Sequence, residues 1–245
     1  MGTTGQFIPH LEQYCDRWCE KCQLTARCAN FAERSVQRAG SLPPPRDAEV
    51  WQELQLALET ALKVLQRARS SASPGARHRW AEQAGDDGLG QPLDPVTAAA
   101  RTYARLVIAW LDAERGWLRD KRLAIRRQLH ASADPAAVVT AAEALCDALD
   151  VIAWDHALIP AVLRKAVAMR ASGHRDLSPQ GFAKLALVSI DRSIAAWLHV
   201  RGTRPGQPET VIPLLAQLDR LKRIVEAEFR GARGFARPGL DACYH

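Results

Sequence analysis

Four of the six cysteines lie close together near the start of the chain. They follow the spacing C-x3-C-x2-C-x5-C and are Cys15, Cys19, Cys22 and Cys28. Thiolate sulfur is a preferred ligand of zinc, copper(I) and iron–sulfur clusters. Because steps of three and four residues return to one side of an α-helix, the first three thiols are predicted to share a helical face. The fourth, Cys28, is then expected to fold back as the remaining ligand.

The compact spacing favours a [4Fe-4S] cluster, since closely spaced cysteines suit its small cube. Basic Arg17 and Lys21 would offset part of the negative charge, and Trp18 would help to exclude water. A structural Zn(Cys)4 site is the main alternative, although such sites more often use two short cysteine pairs separated by a longer loop. Copper(I) and a dithiol switch are further alternatives. All four cysteines are therefore candidate metal and cofactor ligands.

Cys15, Cys19 and Cys22 also resemble the C-x3-C-x2-C signature of radical S-adenosylmethionine enzymes. The resemblance implies a barrel of alternating strands and helices, but the chain shows no strand pattern. Lys21 precedes the third cysteine, where that family commonly has an aromatic residue. A fourth ligand at Cys28 would also close the iron site that those enzymes keep open. These departures exclude the family.

Composition and charge indicate an ordinary globular protein of 245 residues, with 47% hydrophobic residues and a net charge of +6. The start of the chain lacks the pattern of a signal peptide, and no apolar run has the length of a membrane span. We therefore expect a cytoplasmic protein with no membrane partner. The positive charge permits binding to nucleic acid or to an acidic protein, but no nucleic-acid-binding motif is present.

Three helix starts are marked by a capping residue followed by proline. They predict helices over about 95–130, 135–171 and 179–201, with Pro160 kinking or splitting the second. Apolar periodicity predicts further helices over about 8–20, 25–38, 47–69 and 209–230. No segment alternates with a period of two. The sequence therefore predicts an all-α protein, a single bundle of about five to seven helices.

The predicted organisation has three parts. A cysteine-rich segment, 1–40, binds the metal or cluster, a helical bundle covers 46–231, and a basic tail covers 232–245. Inside the bundle, residues 70–93 are rich in Ser, Gly and Asp, which is typical of a flexible loop or a lid over a site.

Polar residues on apolar helix faces are the candidates for an interior pocket. They are Glu114, His156, Arg192 and His199. A buried carboxylate needs a partner, so Glu114 is expected to pair with Arg192, or to form half of a metal or haem site with His156. A hydrogen-bonded core histidine is the alternative interpretation of His156.

The predicted function is electron transfer or redox sensing through the iron–sulfur centre, together with a redox or protein partner and a ligand pocket in the bundle. The alternative is a binding or scaffold protein with a structural Zn²⁺ site and a basic surface for an acidic partner or nucleic acid. Neither a phosphate-binding glycine loop nor a nucleophile elbow occurs, so the sequence assigns no enzymatic reaction.

Overall fold

The structure is a computed structural model that describes residues 7–33, 94–173, 177–204 and 206–241. These residues contain five complete α-helices, a short helical stretch at 29–33 and no β-strand, which confirms the all-α class. The helices are α1 (Pro95–Ala113), α2 (Arg115–Ala131), α3 (Pro135–Ser172), α4 (Pro179–Gly202) and α5 (Ile212–Glu228). The predicted helix at 47–69 and the predicted loop at 70–93 lie outside the described residues. Among the described helices, none is long and apolar enough to cross a membrane.

The predicted caps form at two of the three helix starts. The Asp94 carboxylate accepts a hydrogen bond from the Val96 amide at 2.9 Å, and Asp134 accepts one from the Ala137 amide at 3.1 Å. Each cap satisfies an amide that has no partner inside its helix, and the following proline needs none. At α4 the Ser178 hydroxyl instead bonds the Gln180 side chain at 2.9 Å.

The helix predicted over 95–130 is interrupted at Glu114, so that it becomes α1 and α2. Gly116, a poor helix former, lies just beyond the interruption. In α3 the opposite occurs, because the helix continues through Pro160 without splitting. Ile159 and Leu163 on either side of this proline are fully buried, and their packing offsets the hydrogen bond that proline cannot donate.

The core lies mainly between α3 and α4, with α1 and α5 packed against them. Its largest fully buried side chains include Ile152, Ile159, Leu187, Trp197 and Tyr103. Helix α2 differs from the other four helices because none of its residues is buried. The bundle therefore has a dry centre and one helix that lies on its outside.

The N-terminal segment does not form the predicted helix at 8–20; of the helix predicted over 25–38, residues 29–33 are helical and residues 34–38 lie outside the described residues. It contains three short 3₁₀ turns, Leu11–Tyr14, Cys19–Lys21 and Thr25–Arg27, and becomes helical again at 29–33. His10 and Arg17 have left-handed backbone angles, with φ of 62° and 57°. An α-helix cannot pass through a left-handed residue, so the predicted helical face with three thiols is absent.

Tyr14 anchors this segment to the start of α4. Its hydroxyl accepts a hydrogen bond from the Ser178 amide at 2.8 Å, and its ring packs edge-on against Phe182 and Phe235. Phe235 belongs to the chain after α5, in the region predicted as a basic tail, where the neighbouring Ala232 is also buried. Residues 1–29 and 93–245 accordingly form one compact unit.

Gly181 provides the space that Tyr14 occupies, because a Cβ atom at this position would lie 2.3 Å from the ring. Replacing a helical glycine with alanine ordinarily stabilises a protein, but Gly181→Ala is expected to destabilise this one by about 1–3 kcal/mol through overpacking. Gly116→Ala is the matched control, because nothing lies within 4 Å of its Cβ, and it should stabilise by about 0.5–1 kcal/mol. Urea unfolding of both variants measures whether each substitution raises or lowers the free energy of unfolding. Stabilisation by Gly181→Ala would contradict the packing of Tyr14 against Gly181.

Candidate functional site

The four cysteines of the N-terminal segment lie on turns rather than on one helix face. The Cys15 thiol donates to the Glu12 carbonyl at 3.7 Å, and the Cys22 sulfur accepts from the Leu24 amide at 3.4 Å. Burial raises the pKa of the Cys15 thiol, which disfavours the thiolate that a metal requires.

Within the part of the chain that the structure describes, no group of three or more His, Cys, Asp or Glu side chains is placed to hold a metal ion. The predicted function through a four-cysteine iron–sulfur centre is therefore wrong, and so is the structural Zn(Cys)4 site of its alternative. The physical reason is the left-handed Arg17 between the first two cysteines, since the predicted convergence of thiols required a continuous α-helix.

The four candidate pocket residues do not come together. Glu114 pairs with Arg204 at 2.6 Å rather than with Arg192. His156 lies at the edge of the core and bonds the Ala153 carbonyl through Nδ1 at 2.7 Å, while His199 is exposed. No hydrogen bond or ion pair between described residues joins any two of the four, so the expected pair of Glu114 with Arg192 is wrong.

The Glu114 pair has a structural role at the junction of α1 and α2. Both side chains are largely buried, at 7% exposure for Arg204 and 12% for Glu114. The Arg204 guanidinium also lies over the Trp117 ring, 4.8 Å from its centroid. These contacts attach the junction to the turn that follows α4.

Arg192 is the centre of a polar network between α3, α4 and the N-terminal segment. It binds both carboxylate oxygens of Asp155, through Nε at 3.0 Å and Nη2 at 2.5 Å. Asp155 is fully buried and also accepts from the Ser193 hydroxyl at 3.1 Å. Burial raises the pKa of Asp155, and the bonds from Arg192 and Ser193 only partly offset that effect.

The same guanidinium reaches the N-terminal segment. Arg192 Nη1 lies 2.7 Å from Asp16 Oδ2, and the guanidinium carbon lies 5.2 Å from the Trp18 ring centroid. Trp18 stacks on Trp154 of α3 with centroids 5.3 Å apart, and Trp154 Nε1 donates to the Asp16 carbonyl. Because all three nitrogens of Arg192 are bonded to Asp155 or Asp16, the network holds the segment in place.

Asp155 was not among the predicted site residues, because His156 was assigned to the apolar stripe of α3 in its place. The buried positions Ile152, Asp155 and Ile159 follow steps of three and four residues, which is the spacing of one helix face. A carboxylate at that spacing was a recognisable signal for a buried ion pair.

An exposed row of arginines on α2 is the strongest concentration of charge in the described residues. The helix carries six Arg and Lys residues and a single acidic one, Asp120. Four arginines recur at steps of four, three and four residues and therefore fall within an arc of about 60°. We call this row the arginine stripe; it consists of Arg115, Arg119, Arg122 and Arg126, all exposed.

Most cations of this helix have no acidic partner in the described part of the chain. Of the stripe, only Arg115 makes an ion pair with a described residue, namely Asp112. Arg119, Arg122 and Arg126 make none, in contrast to Arg170, Arg192, Arg204 and Arg233 elsewhere in the bundle. The stripe therefore presents guanidinium groups whose charge is not neutralised by the described protein.

A cleft of about 540 Å³ lies on the other side of α2, between this helix, the start of α3 and Thr203. Ile125, Val138 and Leu145 give it aliphatic walls, while Lys121 and Asp134 place opposite charges at its edge. The mixed charge selects no class of ligand, so the stripe remains the better-defined surface.

The stripe was also readable in the sequence. The segment predicted as one helix over 95–130 carries Tyr103, Trp110 and Trp117 at intervals of seven residues, and these rings pack inward. Taking the arginines with the same 3.6-residue period would have revealed the opposite face.

No protein-family model, curated protein sequence or solved structure matches this chain. A functional conclusion therefore depends on the residues and their positions.

Loss of Asp155 should weaken the fold much more than loss of an exposed carboxylate. Asp155→Asn leaves Arg192 with only Asp16, and we expect a loss of about 2–3 kcal/mol in the free energy of unfolding. Asp219→Asn, which removes the exposed pair with Arg223, should cost no more than about 0.5 kcal/mol. Urea unfolding separates the two, and equal losses would show that the Arg192 network does not stabilise the protein.

Tyr103 should make the protein sensitive to alkaline pH. Burial raises the pKa of Tyr103 to about 12, although hydrogen bonds including that from Trp197 Nε1 at 3.1 Å oppose the shift. Because the folded state retains this proton longer than the unfolded state, the stabilisation is complete below about pH 10 and is lost as the pH rises towards 12. Between pH 8 and pH 11 the free energy of unfolding of the wild type should fall by roughly 1 kcal/mol more than that of Tyr103→Phe. Equal losses of unfolding free energy in the two proteins, measured with urea, would contradict the assignment of this pH dependence to Tyr103.

Proposed function

We propose that the protein binds nucleic acid through the arginine stripe on α2. The observation that carries this proposal is a row of four exposed guanidinium groups on a helix without a buried residue, and only one of the four has a carboxylate partner among the described residues. Uncompensated cations in a regular row favour a ligand with regularly repeated negative charges.

The chemistry of arginine supports phosphate as the anion. A guanidinium group donates several hydrogen bonds in a planar fork, which matches two oxygens of one phosphate, and it remains charged at every physiological pH. The four stripe residues span eleven residues of helix, or about 16 Å. A small anion would need a concave site, whereas a row of this length on a convex helix matches a polymer.

The number of contacts sets the expected affinity. Neutralising phosphates releases condensed counterions, so affinity depends on the number of cations and falls with salt. Binding through the stripe alone is expected to be non-specific, with Kd of about 10⁻⁶–10⁻⁴ M at physiological salt.

The test is fluorescence anisotropy with a labelled mixed-sequence duplex of about two helical turns. The variant Arg119→Gln/Arg122→Gln/Arg126→Gln should bind about 100-fold more weakly at physiological salt, and the salt slope of log K should shrink by about three. These side chains are exposed and unpaired among the described residues, so unchanged circular dichroism and unfolding free energy are expected.

The matched control removes the same charge elsewhere. Arg164, Arg201 and Arg220 are exposed on α3, α4 and α5 and make no ion pair with a described residue, so their triple replacement with Gln should retain wild-type affinity within about threefold. Equal losses in both triple variants would show that only net charge matters. Absence of binding to any nucleic acid, or tighter binding to phosphatidylserine vesicles, would overturn the proposal.

A further inference from the structure

We infer that the preferred ligand of the arginine stripe is the sugar–phosphate backbone of a duplex, contacted along one strand without reading base sequence. This inference rests on the proposed function and specifies the form of nucleic acid. It depends on what surrounds the four arginines, namely the aromatic, apolar and amide side chains of α2.

Single strands are ordinarily bound by aromatic rings on which the bases stack. Helix α2 carries the imidazole of His130 near its C-terminal end, but its only Phe, Tyr or Trp residue is Trp117, whose ring is occupied. It packs edge-on against Trp110 at 6.1 Å between centroids and lies under the Arg204 guanidinium at 4.8 Å. The stripe therefore offers a single strand its charge and, at one end, the small His130 ring, but no free Phe, Tyr or Trp ring.

Charge density favours a duplex over a single strand. A duplex carries one negative charge per about 1.7 Å of its axis, compared with about 3.4 Å for one strand, and each phosphate contact releases more counterions from it. A stripe that acts mainly through charge gains more from the denser polymer. We therefore expect the affinity difference between the two forms to be largest at low salt.

The edges of the stripe argue against insertion into the major groove. Leu123 lies at one edge and Leu129 at the other, with 45% and 36% exposure. A helix inside the groove has phosphates on both flanks, which would place these leucines against charged oxygens. Contact along one strand leaves both leucines outside the phosphate row.

Apart from arginine itself, which can read guanine in the major groove, the residues on the stripe lack the usual partners of base edges. Asn and Gln read adenine and acidic residues read cytosine, but the only amide side chain of α2 is Gln128, which lines the cleft on the other side of the helix. Backbone contacts orient a protein on nucleic acid without carrying sequence information. Binding should thus be nearly independent of base sequence.

The experiment is competition against the labelled duplex, using the intact chain. The competitors are a DNA duplex of scrambled sequence, an RNA duplex, and the separate DNA and RNA strands, all at equal phosphate concentration. We expect the two DNA duplexes to compete within about threefold of each other and each single strand to compete at least about tenfold less well than its duplex.

The outcomes distinguish the two proposals. If single strands compete as well as duplexes, or if the DNA sequences differ by more than about tenfold, this inference is wrong while nucleic-acid binding stands. If neither duplexes nor single strands bind, both proposals fall. The triple Gln variant of Arg119, Arg122 and Arg126 completes the test, because it should lose affinity and the preference for duplex together. If the preference for duplex persists in this variant, duplex recognition lies elsewhere in the chain.

Discussion

The position of the N-terminal segment depends on the guanidinium of Arg192. It binds a fully buried carboxylate on α3, Asp155, and a carboxylate of the segment, Asp16. A buried carboxylate without a partner would be strongly unfavourable, so Asp155 fixes Arg192 and Arg192 in turn fixes Asp16. The stacked Trp18 and Trp154 rings add apolar contact beside the charges.

This network explains why few buried polar side chains at the centre of the molecule lack a hydrogen-bond partner. Among the described residues, most buried polar side chains are used internally, and the exceptions are Trp110 Nε1 and Ser189 Oγ. The polar interior that the sequence suggested as a reactive pocket is therefore occupied by structural hydrogen bonds. The groups that a partner can reach lie on the surface, where α2 carries cationic side chains that the described bundle does not neutralise.

The separation of roles between helices follows from burial. Helices α3 and α4 contribute the apolar core, and a charged substitution on their inner faces would be costly. Helix α2 has no buried residue, because Trp117 and Ile125 contact their neighbours only partly. Such a helix can carry many arginines at little cost to the fold, since the guanidinium groups stay in water. The same arginines are then free to meet an external anion.

The sequence by itself determined the helical class and the starts of three long helices, because capping residues and prolines act within a few residues of the chain. It did not determine the backbone between Cys15 and Cys28, where the left-handed Arg17 and contacts with α3 replaced local helix propensity. Nor did it determine the partner of Arg192, since Asp155 and Asp16 are 37 and 176 residues away. Tertiary structure decided both, because buried charges are satisfied by whichever groups packing brings together, whatever their separation along the chain.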